Sequence, residues 1–284
     1  LIEVCNIEKT ITAHELGYAL GPRINAGGRV GMSTHGAELL LNQNPKDAFK
    51  LALDLNTFNE ERKILETELL NKILNVNYKN STEPVVILYG ENWHEGIIGI
   101  IASRVKEKFN KPTIIISVNG GIGKGSGRSI PGFDLGSAVI GAVQSGLLSK
   151  GGGHKMAAGF TINMDKINEF KDFVFRRFKS ININLEEKKN YYFDIEIAPS
   201  AVNIEFYEKI NILAPFGSGN SEPRFVIKDL KIVNSKIVAD KHIKVVLVGS
   251  DSSILRAISF NSVETTLGSY LLKKNIKSFD IAGK

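Results

Sequence analysis

The spacing of hydrophobic positions changes twice along this chain, dividing it into three stretches. From Pro45 to about Leu74, Ala48, Leu51, Ala52, Leu55, Phe58, Leu65 and Leu69 follow helical spacing, which predicts one long amphipathic helix. Its other face, with Glu60, Glu61, Arg62, Lys63, Glu66 and Glu68, reads as a solvated surface of charge pairs. Ahead of it, Ala13 to Leu20 is expected to form a short helix that stops at Gly21-Pro22, leaving RINAGGRVG as a glycine-rich turn.

In the second stretch, Val85 to Tyr89 and the isoleucine-rich Thr113 to Val118 read as buried strands. Between them, Ile97, Ile98, Ile100, Ile101, Ala102 and Val105 form an apolar helix closing before Asn110, with His94 at its start read first as a cap and second as a site residue. A strand-helix-strand unit of this kind calls for a parallel or mixed α/β sheet. Asp134 is placed to cap a helix carrying Leu135, Ala138, Val139 and Val143. Ala157 to Ile162 then reads as a strand, and Ile167 to Phe178 as a helix with Phe170, Val174 and Phe178 inward. Residues 84–180 therefore read as one α/β domain, with residues 1–83 as a connecting segment that includes the long helix.

The third stretch begins after the polar segment INLEEKKN, a linker in this reading. Strands are expected at Tyr191 to Ile197, Arg224 to Ile227, Leu230 to Val238, His242 to Val248 and Ile254 to Phe260, with a helix from Ile204 to Leu213. Five strands with one interrupting helix match an OB-like barrel over residues 186–284, a fold whose usual ligand is single-stranded nucleic acid.

Composition narrows the class of protein. Hydrophobic residues make up 43% and charged residues 23% of 284 positions, as in an ordinary globular chain, with room for two domains. The formal net charge of +6 favours a polyanionic partner. One cysteine, Cys5, excludes a disulfide framework and a cysteine-based zinc site, and suits a reducing cytoplasm. There is no apolar run of about eighteen residues and no signal peptide, so nothing in the sequence points to a membrane or to export. The chain opens on Leu1 rather than Met and ends on FDIAGK, and it reads as a piece of something longer.

The chemistry concentrates between Gly123 and His154, which opens with GKGSGRSIPGFDLGSA and closes with GGGH. Read as loops, Gly123, Gly125 and Gly127 would let backbone amides approach an anion closely. Arg128 adds a fork for phosphate oxygens, Ser126 and Ser129 flank it with hydroxyls, and Lys124 is a backbone neutraliser. Neither the P-loop nor the dinucleotide fingerprint fits, because Lys124 is followed by Gly125 and no GxGxxG opens a helix after a strand. Gly152, Gly153 and His154 arrive as a second glycine-rich element. His154 closes that element, and its two readings are a contact with a bound phosphate and a structural hydrogen bond to the loop. Arg23 and Arg29, with Asn25 between them, form either a second phosphate contact or a tight turn with surface arginines. Trp93 and Phe216 either stack on bases or anchor packing, and His14, His35 and His242 belong to no constellation.

Five segments in order carry a resemblance: GPRINAGGRVG, NWHEGIIGIIASR, GKGSGRSIPGFDL, GGGHKMAAGF and LAPFGSGNSEPRF. Together they resemble the RecJ family of single-stranded-DNA-specific exonucleases, within the DHH phosphoesterase superfamily. The resemblance implies an α/β DHH-associated substrate-binding domain preceded by a long connecting helix and followed by a mostly-β OB-fold-like domain with later strands absent. It also implies degradation of single-stranded DNA from the 5′ end in recombination and repair, with two Mn²⁺ or Mg²⁺ ions held by an N-terminal DHH domain. Under it, Ser126 and Arg128 match residues that grip the 5′ phosphate, Gly152 and Gly153 line the same pocket, the phosphate in the first reading of His154 is the scissile one, and Arg23 and Arg29 contact the DNA backbone. No DHH motif and no aspartate cluster of metal-ligand character occurs here, so no metal ligand and no firm catalytic residue is assigned to this chain. The implied partner is single-stranded DNA, with a monomeric, cytoplasmic protein that also meets other repair proteins such as single-strand binding protein. Two further readings are a stand-alone single-strand-binding module and a phosphoesterase for short oligonucleotides or cyclic dinucleotides.

Overall fold

The computed structural model describes residues 1–74, 83–181, 190–273 and 278–284. All but the last residue of the linker reading INLEEKKN lies outside them. Two compact units divide the chain, Leu1–Glu187 and Lys188–Lys284, so the connecting segment and the α/β domain belong to one body.

The first unit opens with helical pieces. α1 (Ala13–Glu15) runs into a π-helical turn, Leu16–Leu20, and then α2 (Gly21–Ile24), so Gly21-Pro22 sits inside a helical run and does not end it. The Gly21 amide reaches back to the Leu16 carbonyl, and Pro22 falls in the first turn of α2, where a missing N–H costs nothing. α3 (Gly27–Val30) and α4 (His35–Leu41) follow, so most of RINAGGRVG is helical. α5 (Pro45–Leu74) is the long helix expected, 30 residues and thus about 45 Å of rod. Its charged face is not wholly solvated. Glu66 is buried, and its carboxylate accepts from Arg62 Nη1 of α5 at 3.2 Å and from Arg104 Nε at 3.1 Å.

The sheet is built from β1 (Val86–Glu91), β2 (Thr113–Asn119), β3 (Ile122–Arg128), β4 (Lys150–His154) and β5 (Ala157–Asn163), in the order β1-β2-β3-β5-β4. β1 and β2 are parallel, joined by α6 (Glu95–Phe109), and the remaining pairs are antiparallel. His94 caps α6 with Nδ1 accepting from Gly96 N–H at 3.1 Å, and Asn110 ends it in the left-handed region at φ 50°. α7 (Leu135–Gln144) starts at Asp134, whose carboxylate accepts from Ser137 N–H at 2.9 Å, and α8 (Ile167–Lys179) follows β5. α7 and α8 cover one face through Leu135, Val139, Phe160, Phe170 and Val174, while α6 and α5 cover the β1–β2 part of the other through Val86, Ile97, Ile101, Ile115 and Leu69.

β3 and β4 correct the sequence reading, which took both as glycine-rich loops. The glycines of β3 alternate, and all three turn toward α7 and α8. A Cβ at Gly125 would lie 2.2 to 2.7 Å from the Phe160 ring, one at Gly127 2.6 Å from Leu135 Cδ2, and one at Gly123 2.8 Å from Ile116 Cγ2. Their absent side chains are the space that buried Phe160, Leu135 and Ile116 fill.

The second unit contains β6 (Ile195–Glu196), α9 (Ile204–Asn211), β7 (Phe225–Val238), β8 (His242–Val248), β9 (Ile254–Ser259), α10 (Thr266–Leu271) and β10 (Phe279–Gly283). The sheet order is β10-β7-β8-β9, with β6 beside β7, around a core of Leu230, Ile243, Val245, Leu247, Leu255 and Leu271. Only two residues of the expected strand at 191–197 pair. The two expected strands at 224–238 are one, continuing through Asp229 at φ 55° and a register shift between Ile232 and Asn234. α10 had no counterpart in the sequence reading.

Packing around β3 sets a mutational contrast. Gly125→Ala should lower stability by about 1 to 3 kcal/mol by forcing Phe160 aside. Gly152→Ala, whose Cβ would meet nothing within 4 Å, should change it by less than ~0.5 kcal/mol. Denaturant unfolding of the two variants beside the parent checks both.

Candidate anion-binding face

The alternation that turns the β3 glycines toward α7 turns Lys124, Ser126 and Arg128 the other way. Register extends that face across two more strands. Lys124 lies opposite Thr161 and Thr161 opposite Lys150; Ser126 opposite Gly159 and Gly159 opposite Gly152; Arg128 opposite Ala157 and Ala157 opposite His154. Residues directly opposite in antiparallel pairs share a face, so these nine positions form three parallel rows. The middle row carries no side chain beyond Ser126. A Cβ at Gly152 would meet nothing within 4 Å, and one at Gly159 only the Gly125 carbonyl at 3.7 Å. β4 is the sheet edge, so one row of its backbone amides and carbonyls has no sheet partner.

Against the β3 side of these rows lies the start of α6, whose Gly96 and Ile97 N–H groups are taken up by His94 and whose helix dipole favours negative charge. Gly99, one turn in, allows a close approach: a Cβ there would lie 3.0 Å from both Arg128 Nη2 and Ser126 Oγ. Gly96 lets α3 rest on α6, since a Cβ would stand 2.0 Å from the Arg29 carbonyl oxygen. Arg29 Nη1 donates to the Gly96 carbonyl at 3.2 Å, and Arg128 Nη1 donates to the Gly127 carbonyl at 2.9 Å and to Ser126 Oγ at 3.3 Å. Neither guanidinium has a carboxylate partner among the described residues. Burial, and then the charge of Arg29, pull the Arg128 guanidinium below its ordinary pKa. An arginine stays protonated, so that shift reads as an unrelieved cost of holding two like charges in a partly desolvated place. An anion would relieve it.

The expected site residues separate in the structure. Ser126, Arg128, Arg29 and Gly152 come together, with Lys124 beside them, its Nζ paired to Glu95 Oε2 at 2.8 Å. Ser129 does not. It is 1% exposed, and Oγ donates to the Phe133 carbonyl at 2.7 Å, holding the turn into α7. Arg23 is tied into the helical segment by Nε to Asn56 Oδ1 and Nη1 to the Ala19 carbonyl, both at 2.8 Å. Gly153 faces the opposite side, its Cβ position filled by Ala157 and Ala158. His154 Nδ1 accepts from Met156 N–H at 3.3 Å, which is the loop bond of the two readings, and the exposed ring sits in the Arg128 row.

Trp93 packs beside the α6 core and against Gly90, and Phe216 is half-buried. His14, His35 and His242 lie against Tyr18, Phe58 and Phe260. The sequence reading missed Lys150, Thr161, Gly99 and Gly159. Gly99 carried a usable signal, since a glycine inside a helix costs about 1 kcal/mol against alanine and asks for a packing reason.

The DHHA1 domain family matches residues 82–180 and the RecJ OB domain family residues 193–284. The chain is 34% identical over 281 residues to the single-stranded-DNA-specific exonuclease RecJ of Dickeya dadantii and 33% identical over 282 residues to that of Escherichia coli. Each alignment covers 94% of this chain and 48% of the relative, so the chain spans about half the length of the curated relatives it matches. A crystal structure of RecJ in complex with Mn²⁺ from Thermus thermophilus superposes with a TM-score of 0.82 at 25% identity, covering 100% of this chain and 40% of that one.

The assignment of Ser129 to the turn has a direct check. Ser129→Ala leaves the Phe133 carbonyl without its donor and should cost about 1 to 3 kcal/mol in denaturant unfolding, while affinity for a phosphorylated ligand stays unchanged.

Proposed function

Because the chain belongs to the RecJ family and carries its DHHA1 and OB domains, we propose that it is the substrate-gripping portion of a 5′ to 3′ single-stranded-DNA exonuclease of recombination and repair. The observation that carries the reading is the pair of guanidiniums, Arg29 and Arg128, standing without carboxylate partners beside Ser126 and the start of α6. Guanidinium forks and a hydroxyl are donors that a terminal phosphate accepts from, and the positive end of the α6 dipole adds to their attraction. The flat rows beyond them suit a polymer lying along a surface, and the net charge of +6 adds attraction for the whole strand.

The family uses Mn²⁺ or Mg²⁺, and the residues described here do not fit that role. Among them no group of three or more His, Cys, Asp or Glu side chains stands together to hold an ion. No hydrolytic step is therefore assigned to this chain's own residues. Its work is to bind and orient the strand, and the metals belong to the DHH domain that the resemblance implies. The same observation favours a second reading, a module that binds single strands without cutting them. The partners proposed are single-stranded DNA and repair proteins such as single-strand binding protein, in a monomeric, cytoplasmic setting. No helix among the described residues is long and apolar enough to cross a membrane.

The test compares a 5′-phosphorylated oligonucleotide with its 5′-hydroxyl twin. Charge-assisted hydrogen bonds of about 1.5 to 3 kcal/mol predict at least roughly tenfold tighter binding of the phosphorylated form, lost in Arg128→Ala. Equal affinities for the two ends would sink the phosphate assignment. A Mn²⁺ nuclease assay on this chain should give no cleavage, and cleavage by it would mean that metal ligands are present here after all.

A further inference from the structure

The row that starts at Lys124 ends at Lys150, and its two lysines are in different electrostatic states. Lys124, the cation that the sequence singles out, has Glu95 Oε2 at 2.8 Å, so its ammonium already has a carboxylate partner within the protein. Lys150 has no carboxylate partner among the described residues, is exposed, and stands on the edge strand. Between them Thr161 adds a half-buried hydroxyl, in register with both. Four strand positions separate this row from that of Arg128, about 13 Å at the rise of an antiparallel strand. The floor between carries only Ser126, Gly159 and Gly152.

From this we infer that Lys150, with Thr161, is a second subsite that takes an internal phosphodiester of the bound strand. The inference rests on the proposed function, since it places the strand's course relative to the Arg128 end. A chain whose terminal phosphate meets Arg128 and Arg29 crosses a floor of Ser126, Gly159 and Gly152 and reaches Lys150 within a few nucleotides. The next phosphate there finds an ammonium with no competing carboxylate, a threonine hydroxyl and the unpaired backbone of the sheet edge. Lys150 reads no sequence in this role; it sets position and adds affinity, as phosphate contacts do.

The experiment titrates this chain with a 5′-phosphorylated ten-nucleotide single strand over a salt series. The parent, Lys150→Gln, Arg128→Gln and Lys179→Gln are compared. Lys179 lies on α8, across the sheet from the rows, so Lys179→Gln removes the same net charge elsewhere. Lys150→Gln should weaken binding about three- to tenfold and reduce the slope of log K against log salt by about 0.7, the loss of one single-strand phosphate contact. Lys179→Gln should shift affinity by less than about twofold. A Lys150→Gln effect no larger than that of Lys179→Gln would overturn the subsite, even with Arg128→Gln weakening binding as proposed. If the parent binds no strand at all, the proposed function falls, and the subsite with it.

Discussion

The period of β3 is the constraint on which the rest depends. One extended strand in the middle of the sheet must serve an aromatic core on one side and a cationic surface on the other, and it does so by alternation. Gly123, Gly125 and Gly127 yield their volume to Ile116, Phe160 and Leu135, while Lys124, Ser126 and Arg128 project away from that core. A shift of one residue would drive Arg128 into the apolar side and expose the glycines, so packing of the Phe160 ring also fixes which way the guanidinium points. Core and site are two readings of one register.

Around that strand, helices set the height of the charged groups. α6 can lie close to β3 because Gly99 leaves room for Arg128 and Ser126, and α3 can lie close to α6 because Gly96 leaves room for the Arg29 backbone. α6 is held in turn by α5, through Leu69 and Ile73 and through the buried Glu66 carboxylate that accepts from both Arg62 and Arg104. A carboxylate shared by two guanidiniums is oriented more tightly than one in a single pair, and because Glu66 and Arg62 are largely buried while Arg104 is exposed, loss of Arg62 is the more expensive. Arg29 and Arg128 therefore stay near each other through the seating of α3 and β3 on α6.

What could be read from sequence followed the physics of each element. α5 and α6 were legible because helical spacing of large apolar residues survives in any context, and Asp134 and His94 were legible as caps because their local hydrogen bonds need no distant partner. β3 and β4 were not, because a strand is recognised by the alternation of its side chains and the inward positions here have none. GKGSGR and KGGGH thus read as loops. Ser129 reads as a ligand contact because it adjoins Arg128, yet the chain turns after β3 and the hydroxyl donates inward to the Phe133 carbonyl. Lys150 was passed over for the opposite reason, since only the pairing of β4 with β5 and of β5 with β3 brings it level with Lys124.

The surface between Lys124 and Thr161 comes from one uninterrupted piece of chain: β3, then α7 beneath it, then β4 and β5. Arg29 comes from a helical segment far upstream that touches this piece through α6. The floor's register is thus set by short connections within one stretch of chain. The arginine set over it depends instead on a long-range seam between α3 and α6, so a change at that seam would move one guanidinium while leaving the strands, and the other guanidinium, in place.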